Sequence, residues 1–498
     1  MNKQPNEAMI ISLSTQESAA GDLIKPLLQD DTLTNQLTQL AKTHQVPLSV
    51  LERDFKADAN SVLPLYAGEV TTWLVGLGTS PQEMDWLKTL RKFFFDHRQT
   101  LPTQLTLDLT AFDGSVVEAA VLGIRWGGYD LKLYQTDKTE TSVFYSETGQ
   151  LTLLVADSQR TAAQEALVRA EAIAQTHRQM LDLMNAPSNY KKPQTLADWA
   201  VLSGSEHGYT VTILDREELI RQKLGALLSV SEGSEAPPVL IIAEHKPATN
   251  PSGLTVGLVG KGVTFDTGGL SIKPSTSMHL MKSDMGGAAA VLGTLEVVAK
   301  LNLPIHVVGI VPATENSVDS RSTKPGDVIT SYSGKTIEII DTDAEGRVIL
   351  ADGLTYMVRH FQPDILIDLA TLTGSVIAAL GLNAGGMFTQ NDALATQLTQ
   401  AADKTGERLW RMPLWDVYKE DIKSDVADVK NFSGKPVAGS ISAAKFLEVF
   451  TENHPTWAHL DIAGMAFADT EFGSQKNATG FGIRLLIAYL RMLMAEIR

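Results

Sequence analysis

Between Lys261 and Arg347 the sequence gathers four carboxylates, Asp266, Asp284, Asp343 and Glu345, and three cations, Lys261, Lys273 and Arg347. They stand in GKGVTFDTGGLSIKP (Gly260–Pro274), MKSDMGGAAAV (Met281–Val291) and DTDAEGR (Asp341–Arg347). Their neighbours are Gly, Thr, Ser and Ala rather than the charged mixture of a solvated helix face. Carboxylates set among small residues must be at least partly buried, and a buried charge needs a partner. Two divalent cations would supply one, so the stretch reads as a dinuclear metal site. Oxygen-rich ligation favours Mg, Mn or Zn over soft metals. Lysine ligates only as a neutral amine, which burial beside two dications promotes; the plainer reading of Lys261 is a salt bridge to one of the carboxylates. A lone Asp-x-Glu pair or a lone glycine loop would signify a turn and a solvated pair. The weight comes from their coincidence with Asp284 and Lys273, and from glycines at 260, 262, 268 and 269 that allow close backbone approach.

The elements that must position these groups are strands covered on both faces. LTVGLVG (Leu254–Gly260), VLIIAE (Val239–Glu244), IHVVGIVPA (Ile305–Ala313) and DILIDLATL (Asp364–Leu372) are near-continuous Val/Ile/Leu runs, as parallel sheets require; TVTILD (Thr210–Asp215) and TIEIID (Thr336–Asp341) also read as strands. Sites in such sheets form at the carboxyl ends of strands. The pattern places Lys261 and Asp266 after the Leu254–Gly260 strand and Asp343 and Glu345 after the Thr336–Asp341 strand. Asp284 is placed to cap the helix that MGGAAAVLGTLEVVAK begins.

Upstream, Ala8–Ser14, Ser61–Ala67, Thr71–Gly78, Gln104–Thr110 and Ser142–Glu147 read as strands, with helical patterns at Leu33–Thr43 and Pro81–Asp96. Thr161–Asn185 reads as one long helix ending at Asn185-Ala-Pro187, a connector or else a core helix of either side. The expected organisation is an N-terminal α/β domain over 1–160, a linker helix over 161–186 and a larger domain over 187–498. The fold class is α/β, a smaller N-terminal α/β domain joined by a long helix to a larger C-terminal α/β domain with a mostly parallel central sheet. The first domain carries no acidic or histidine constellation that reads as catalytic.

Composition narrows the classes. At 498 residues the chain exceeds one ordinary domain, and its net charge of −16 argues against a general electrostatic grip on nucleic acid or anionic membrane. Cysteine is absent, which removes disulfides, thiolate metal sites and cysteine nucleophiles and fits a reducing compartment. MNKQPNEAMIISLS has no basic segment followed by an apolar core, and no apolar run reaches the ~20 residues of a membrane span. The last helix (Gly482–Arg498) comes nearest, broken by Arg484, Arg491, Glu496 and Arg498. The expectation is a soluble, cytoplasmic protein.

DTDAEGR is similar to the NTDAEGR motif of the leucyl aminopeptidase (cytosol aminopeptidase) family, and VGKGVTFDTGGLSIKP resembles its metal-binding loop. The likeness runs on through MKSDMGGAAAV, ATLTG (Ala370–Gly374) and HLDIAG (His459–Gly464) with collinear spacing, and covers most of the chain after about Asn185. The resemblance implies two adjacent metals, Mn or Zn with Mg as a further candidate. Lys261, Asp266, Asp284 and Glu345 would bind the first; Asp266, Asp343 and Glu345 the second, with the Asp343 carbonyl added. It also implies catalytic roles for Lys273, as the cation that polarises the scissile carbonyl, and for Arg347, as holder of a bicarbonate base. The alternative for Arg347 is a clamp on Asp343 or Glu345. Met281, Ala344, Thr371, Gly374 and Ala463 match positions lining the pocket for the first side chain, leucine-like with a broad range. Peptide substrates and a homohexamer are implied with them. Two-metal phosphoester hydrolysis and DNA binding are the rival functions. Asp341 departs from the family's Asn; it could tighten metal binding, shift the pH optimum, or act as a neutral acid making the same hydrogen bonds. His279 reads as a surface or outer residue, His459 as a packing or outer residue, and Trp410, Trp415 and Trp457 as core.

Overall fold

The computed structural model of the chain describes residues 9–16, 21–136, 142–470 and 476–495. Residues 1–8, on which the absence of a secretory signal was read, lie outside the described residues, as do Glu496 and Arg498. The chain divides into two compact units, 1–178 and 179–498, with the division inside the helix Arg160–Asn185.

The first unit is built on a six-stranded sheet in the order Ile10–Ser14, Gln150–Leu154, Gln104–Asp108, Asp22–Leu27, Val70–Gly76, Val62–Ala67. All neighbours are parallel except the last pair. Asp22–Leu27 and Gln150–Leu154 have no counterpart in the sequence reading. Pro26 disguises the first of these, since proline removes a ladder donor and is rare in central strands. Ser142–Glu147 is a correction: it is a turn rather than a strand. Its aromatic residues imitate a strand pattern but serve packing, with Phe144 and Tyr145 buried and Tyr145 Oη donating to Ile124 O at 2.6 Å.

The second unit carries the expected mostly parallel sheet. Its order is Leu409–Arg411, Gly385–Phe388, Trp457–Asp461, Ile365–Ala370, Thr255–Gly260, His306–Asn316, Val239–His245, Thr210–Leu214. Central strands are buried along almost their whole length, which the Val/Ile/Leu runs require. The helix Gly286–Lys300 is buried from Gly286 to Ala299, as a helix apolar on every face must be. Its one acid, Glu296, is paired with Lys300 at 2.7 Å and with the Ser203 hydroxyl at 2.5 Å.

One irregularity places the site. The strand Thr255–Gly260 breaks at Lys261 and resumes as Gly262–Asp266. Both pieces pair with the single long strand His306–Asn316, the first with its beginning and the second with its end. At the break the Lys261 N–H turns to Leu369 O, at 3.0 Å, and its carbonyl accepts from Ala288 N at 2.9 Å. The Lys261 backbone is thus held from two sides.

Two expectations fail here. The Thr336–Asp341 segment is not a strand of the central sheet; only Thr336–Glu338 pairs, in a three-stranded sheet with Val328–Thr330 and Val429–Lys430. Trp410 and Trp415 are not core residues but 65% and 66% exposed, the first on an edge strand, whereas Trp457 is buried.

Candidate metal centre

Six of the seven charged residues meet. Lys261 Nζ lies 2.7 Å from Asp284 Oδ2 and 2.8 Å from Glu345 Oε1. Lys273 Nζ lies 2.8 Å from Asp266 Oδ2 and 2.5 Å from Asp343 Oδ1. One carboxylate oxygen from each of Asp266, Asp343 and Glu345 lies within 4.8 Å of the others. Asp266, Asp284 and Glu345 are buried, while the Asp343 side chain is 34% exposed and marks the open side.

Each carboxylate is delivered by a different local device. Asp266 ends its strand, and its Oδ1 accepts from Gly268 N and Asn316 Nδ2, both at 2.8 Å. Gly268 has φ +88, and a Cβ there would stand 2.8 Å from Asp343 Oδ1, so the turn needs glycine. Asp284 does not cap the following helix, whose N-cap is Met285; it instead closes the 3-10 helix Met278–Ser283, and its Oδ1 accepts from the Thr371 hydroxyl at 2.7 Å. Its side chain turns into the cluster because Thr371, whose carbonyl also takes Lys261 Nζ at 3.0 Å, holds it there. Asp343 sits in a turn pinned by Asp341 Oδ1, which accepts the Asp343 N–H at 2.9 Å, and Glu345 opens the helix Glu345–Phe361. Thr342 stitches this turn to the glycine loop: its hydroxyl donates to Gly268 O at 2.7 Å and accepts from Ser271 N at 2.8 Å.

Burial and like charge work against four carboxylates here. Burial, with Glu345 beside it, raises Asp266 above the usual carboxylate range, and burial raises Asp284 well above it. Burial with Asp266 and Glu345 lifts Asp343 to about 7. Glu345, despite burial, is held below its ordinary value by Lys261 and Lys273. Burial alone would lower both lysines, but the carboxylates outweigh it and leave both raised. Two ammonium groups do not balance four carboxylates. Three buried oxygens, Asp284 Oδ2, Asp343 Oδ1 and Glu345 Oε1, receive no aligned hydrogen bond, only a lysine at ion-pair distance. Orphaned carboxylate oxygens converging on one space fit divalent cations, which would also reverse the charge logic at Lys261.

Arg347 stands apart from these ion pairs. It is buried, its Nη1 donates to Asn431 O at 3.0 Å, and its Nε has no hydrogen-bond partner among the described residues. Burial pulls it down to about 10, against Glu345, Asp461 and Asp341. His279 is exposed and outside the cluster. His459 is fully buried with Nδ1 2.6 Å from Asp368 Oδ1, a packing partner of the sheet. Of the pocket candidates, Ala344 is buried between Asp343 and Glu345, and Met281 lies on the 3-10 helix. Thr371 and Ala463 lie in two loops joined by Asp461, and Gly374 opens the helix Gly374–Leu380. Asp461 Oδ1 accepts from Leu372 N and Ala463 N, both at 3.2 Å, and its Oδ2 accepts from the Thr373 hydroxyl at 2.6 Å.

Asn316, Asn431 and Asp461 are the functional neighbours that sequence reasoning missed. Asn431 is fully buried; its Oδ1 accepts from Ile340 N at 2.8 Å and its Nδ2 donates to Asp341 O at 2.6 Å. It carries both the Asp341–Asp343 turn and Arg347. Only Asp461, inside HLDIAG, lay in a segment already singled out.

Gly346 supplies a test of this crowding. A Cβ there would stand 2.6 Å from Lys261 Cε and 2.7 Å from Nζ. Alanine is favoured over glycine in a helix interior by up to ~1 kcal/mol, but overpacking a buried site costs about 1–3 kcal/mol, so Gly346→Ala should fold with modestly lowered thermal stability. Its pinned lysine must still move, and kcat/KM should fall about 100-fold, the scale of a ~1 Å misplacement. Thermal unfolding and kinetics on the same preparation check the split.

Residues 179–487 match the family model described as cytosol aminopeptidase family, catalytic domain. A probable cytosol aminopeptidase of Chloroherpeton thalassium is 40% identical over 97% of this chain and 99% of its own length. One from Chlorobaculum parvum is 50% identical over 62% of this chain and 61% of its own. Among solved structures, the cytosol aminopeptidase from Coxiella burnetii matches with TM-score 0.82 and 32% identity, covering 98% of this chain and 99% of that one. The bottromycin maturation enzyme BotP in complex with Mn matches with TM-score 0.82 and 33% identity, covering 95% of this chain and all of that one.

Proposed function

The chain belongs to the cytosol aminopeptidase family and is a metal-dependent aminopeptidase; we propose from that premise that it releases leucine-like first residues, over a broad range, from peptides. The observation that carries the reading is the convergence of three orphaned carboxylate oxygens in a cluster where two lysines face four carboxylates. Lys261, Asp266, Asp284 and Glu345 would hold one divalent ion, and Asp266, Asp343 and Glu345 a second, Mn or Zn with Mg as a further candidate. When bound, such a pair supplies an activated water near neutral pH and a grip on the substrate's free α-amine.

The chain's own residues do the rest. Asp266, Glu345, Asp343 and Asp284 raise the Lys273 pKa against its burial. At 21% side-chain exposure Lys273 is both desolvated and reachable, which suits a group that would polarise the scissile carbonyl and stabilise the oxyanion. Arg347 would hold a bicarbonate, which would supply a general base beside the site. Its buried Nε offers a donor that nothing else in the described residues uses, and a planar fork suits a two-oxygen partner. Met281, Ala344, Thr371, Gly374 and Ala463 would line the pocket for the first side chain. Small and apolar groups there accept leucine but discriminate a methylene by only ~1–3 kcal/mol.

A cytoplasmic location and a homohexamer complete the proposal; large exposed apolar residues such as Trp410, Trp415 and Val417 give assembly something to cover. Among the described residues no helix is long and apolar enough to cross a membrane. The test is hydrolysis by the Mn-loaded protein of leucine p-nitroanilide but not of bis-p-nitrophenyl phosphate, lost on chelation and regained with Mn. Cleavage of the phosphodiester alone would reverse the assignment.

Asp341 is proposed to tune the pH profile. It is one of three carboxylates that hold Arg347 up against burial, after Glu345 and Asp461. An Asn at this position can still accept the Asp343 N–H, so the turn should survive. Asp341→Asn should therefore lower the Arg347 pKa from its value of about 10 and move the alkaline limb of kcat/KM to lower pH. A superimposable pH curve would remove the role.

A further inference from the structure

One fully buried cation takes no part in the chemistry above. Lys191 has no exposed surface, and among the described residues no carboxylate comes within ion-pair distance of it. Its ammonium donates instead to two carbonyls, Lys282 O and, at 3.3 Å, Met184 O. Lys282 reaches back the other way, its Nζ donating to Asn185 O at 2.8 Å. Asn185 in turn accepts the Ala478 N–H on Oδ1 at 3.1 Å.

The carbonyls involved are ones that helix geometry leaves over. Met184 and Asn185 close the helix Arg160–Asn185, whose last four C=O groups have no partner within the helix and attract cations. Lys282 O lies near the end of the 3-10 helix Met278–Ser283. Lys191, from the chain beyond that helix, therefore bridges both ends, and Lys282 reaches from the 3-10 end to the helix end. The short 3-10 turn has few bonds of its own to fix it. Burial, with Lys282 nearby, pushes Lys191 down to about 7, so a dry ammonium here is costly. Methionine would fill the same space without that cost. Packing alone does not explain lysine; donors to the two carbonyls do.

We propose that Lys191 and Lys282 are positioning residues that clamp the Met278–Ser283 turn to the end of the long helix and so fix Met281 in the pocket for the substrate's first side chain. The inference rests on the proposed aminopeptidase reading and on Met281 lining that pocket. Met281 sits one residue before Lys282, inside the clamped turn, so its placement follows the clamp directly. Releasing either cross-link loosens the wall that a leucine side chain touches and an alanine side chain does not reach.

The experiment compares wild type, Lys191→Met, Lys282→Met and the double variant, all Mn-loaded, on leucine and alanine p-nitroanilides. Each single variant should lower the leucine-to-alanine ratio of kcat/KM by about threefold or more, chiefly through KM for leucine. The double variant should cost little more than the larger single one, since both act on one segment. Folded variants whose ratio stays at the wild-type value would overturn the clamp. Should Lys191→Met fail to fold, Lys282→Met, whose side chain is only half-buried, decides alone. Hydrogen exchange over residues 278–284 reads the clamp without any substrate: about tenfold faster exchange supports it, and unchanged protection sinks it. Wild type inactive on both anilides, with exchange responding as expected, would refute the aminopeptidase reading and the pocket role while leaving the clamp itself standing.

Discussion

An Asp266→Asn protein should lose most of its bound metal and at least ~10³-fold in kcat/KM, more than the ~10–100-fold typical when an outer partner of a metal ligand is removed. The reason lies in how its two oxygens are used. Oδ1 already accepts from Gly268 N and Asn316 Nδ2, so an Asn carbonyl would be drawn to that side. The amide nitrogen would then occupy the Oδ2 position, 2.8 Å from the Lys273 ammonium, where donor faces donor. The substitution removes a charge proposed to touch both ions and repels the proposed electrophile at once. Metal analysis beside kinetics checks it, and a variant that keeps two ions and wild-type turnover would exclude Asp266 from the cage.

Lys273→Met should separate ion binding from catalysis. Lys273 pairs with Asp266 and Asp343 but is proposed to act on the substrate, so its loss should leave metal content near wild type. Removing one oxyanion donor costs about 10²–10³-fold in kcat, and a fall of that size with KM little changed is expected. Lys273→Arg would keep the charge with a different shape and should recover only part of the rate. A kcat within a few-fold of wild type for the methionine variant would confine Lys273 to balancing charge.

How much of this was legible follows from where the information sits. Lys261 and Asp266 stood out because charges in a run of Val, Gly and Thr have no solvent to face, and the sheet indeed buries both. The central strands were legible for the same reason, their apolar runs leaving no polar face. Asn316 and Asn431 were not, because their roles are long-range hydrogen bonds, to Asp266 fifty residues back and to the Asp341 turn ninety residues back. Nothing local to an asparagine announces that. TIEIID misled because apolar alternation marks a strand without saying which sheet it joins; its partners are Val328–Thr330 and Val429–Lys430. Asp284 was read as a cap from its place before a helix, and the competing pull of the Thr371 hydroxyl was invisible. Trp410 and Trp415 were assigned to the core by residue type alone, which does not register an edge strand or a short 3-10 segment.

Every residue proposed to hold an ion belongs to 179–498, and none to 1–178. A ligand stabilises only the folded unit that binds it, by about 2.7 kcal/mol when present at a hundred times its dissociation constant. Heating the chain at rising Mn concentration should then displace one calorimetric transition upward and leave the other where it was. The stationary melt would report a first unit whose folding owes nothing to the metals.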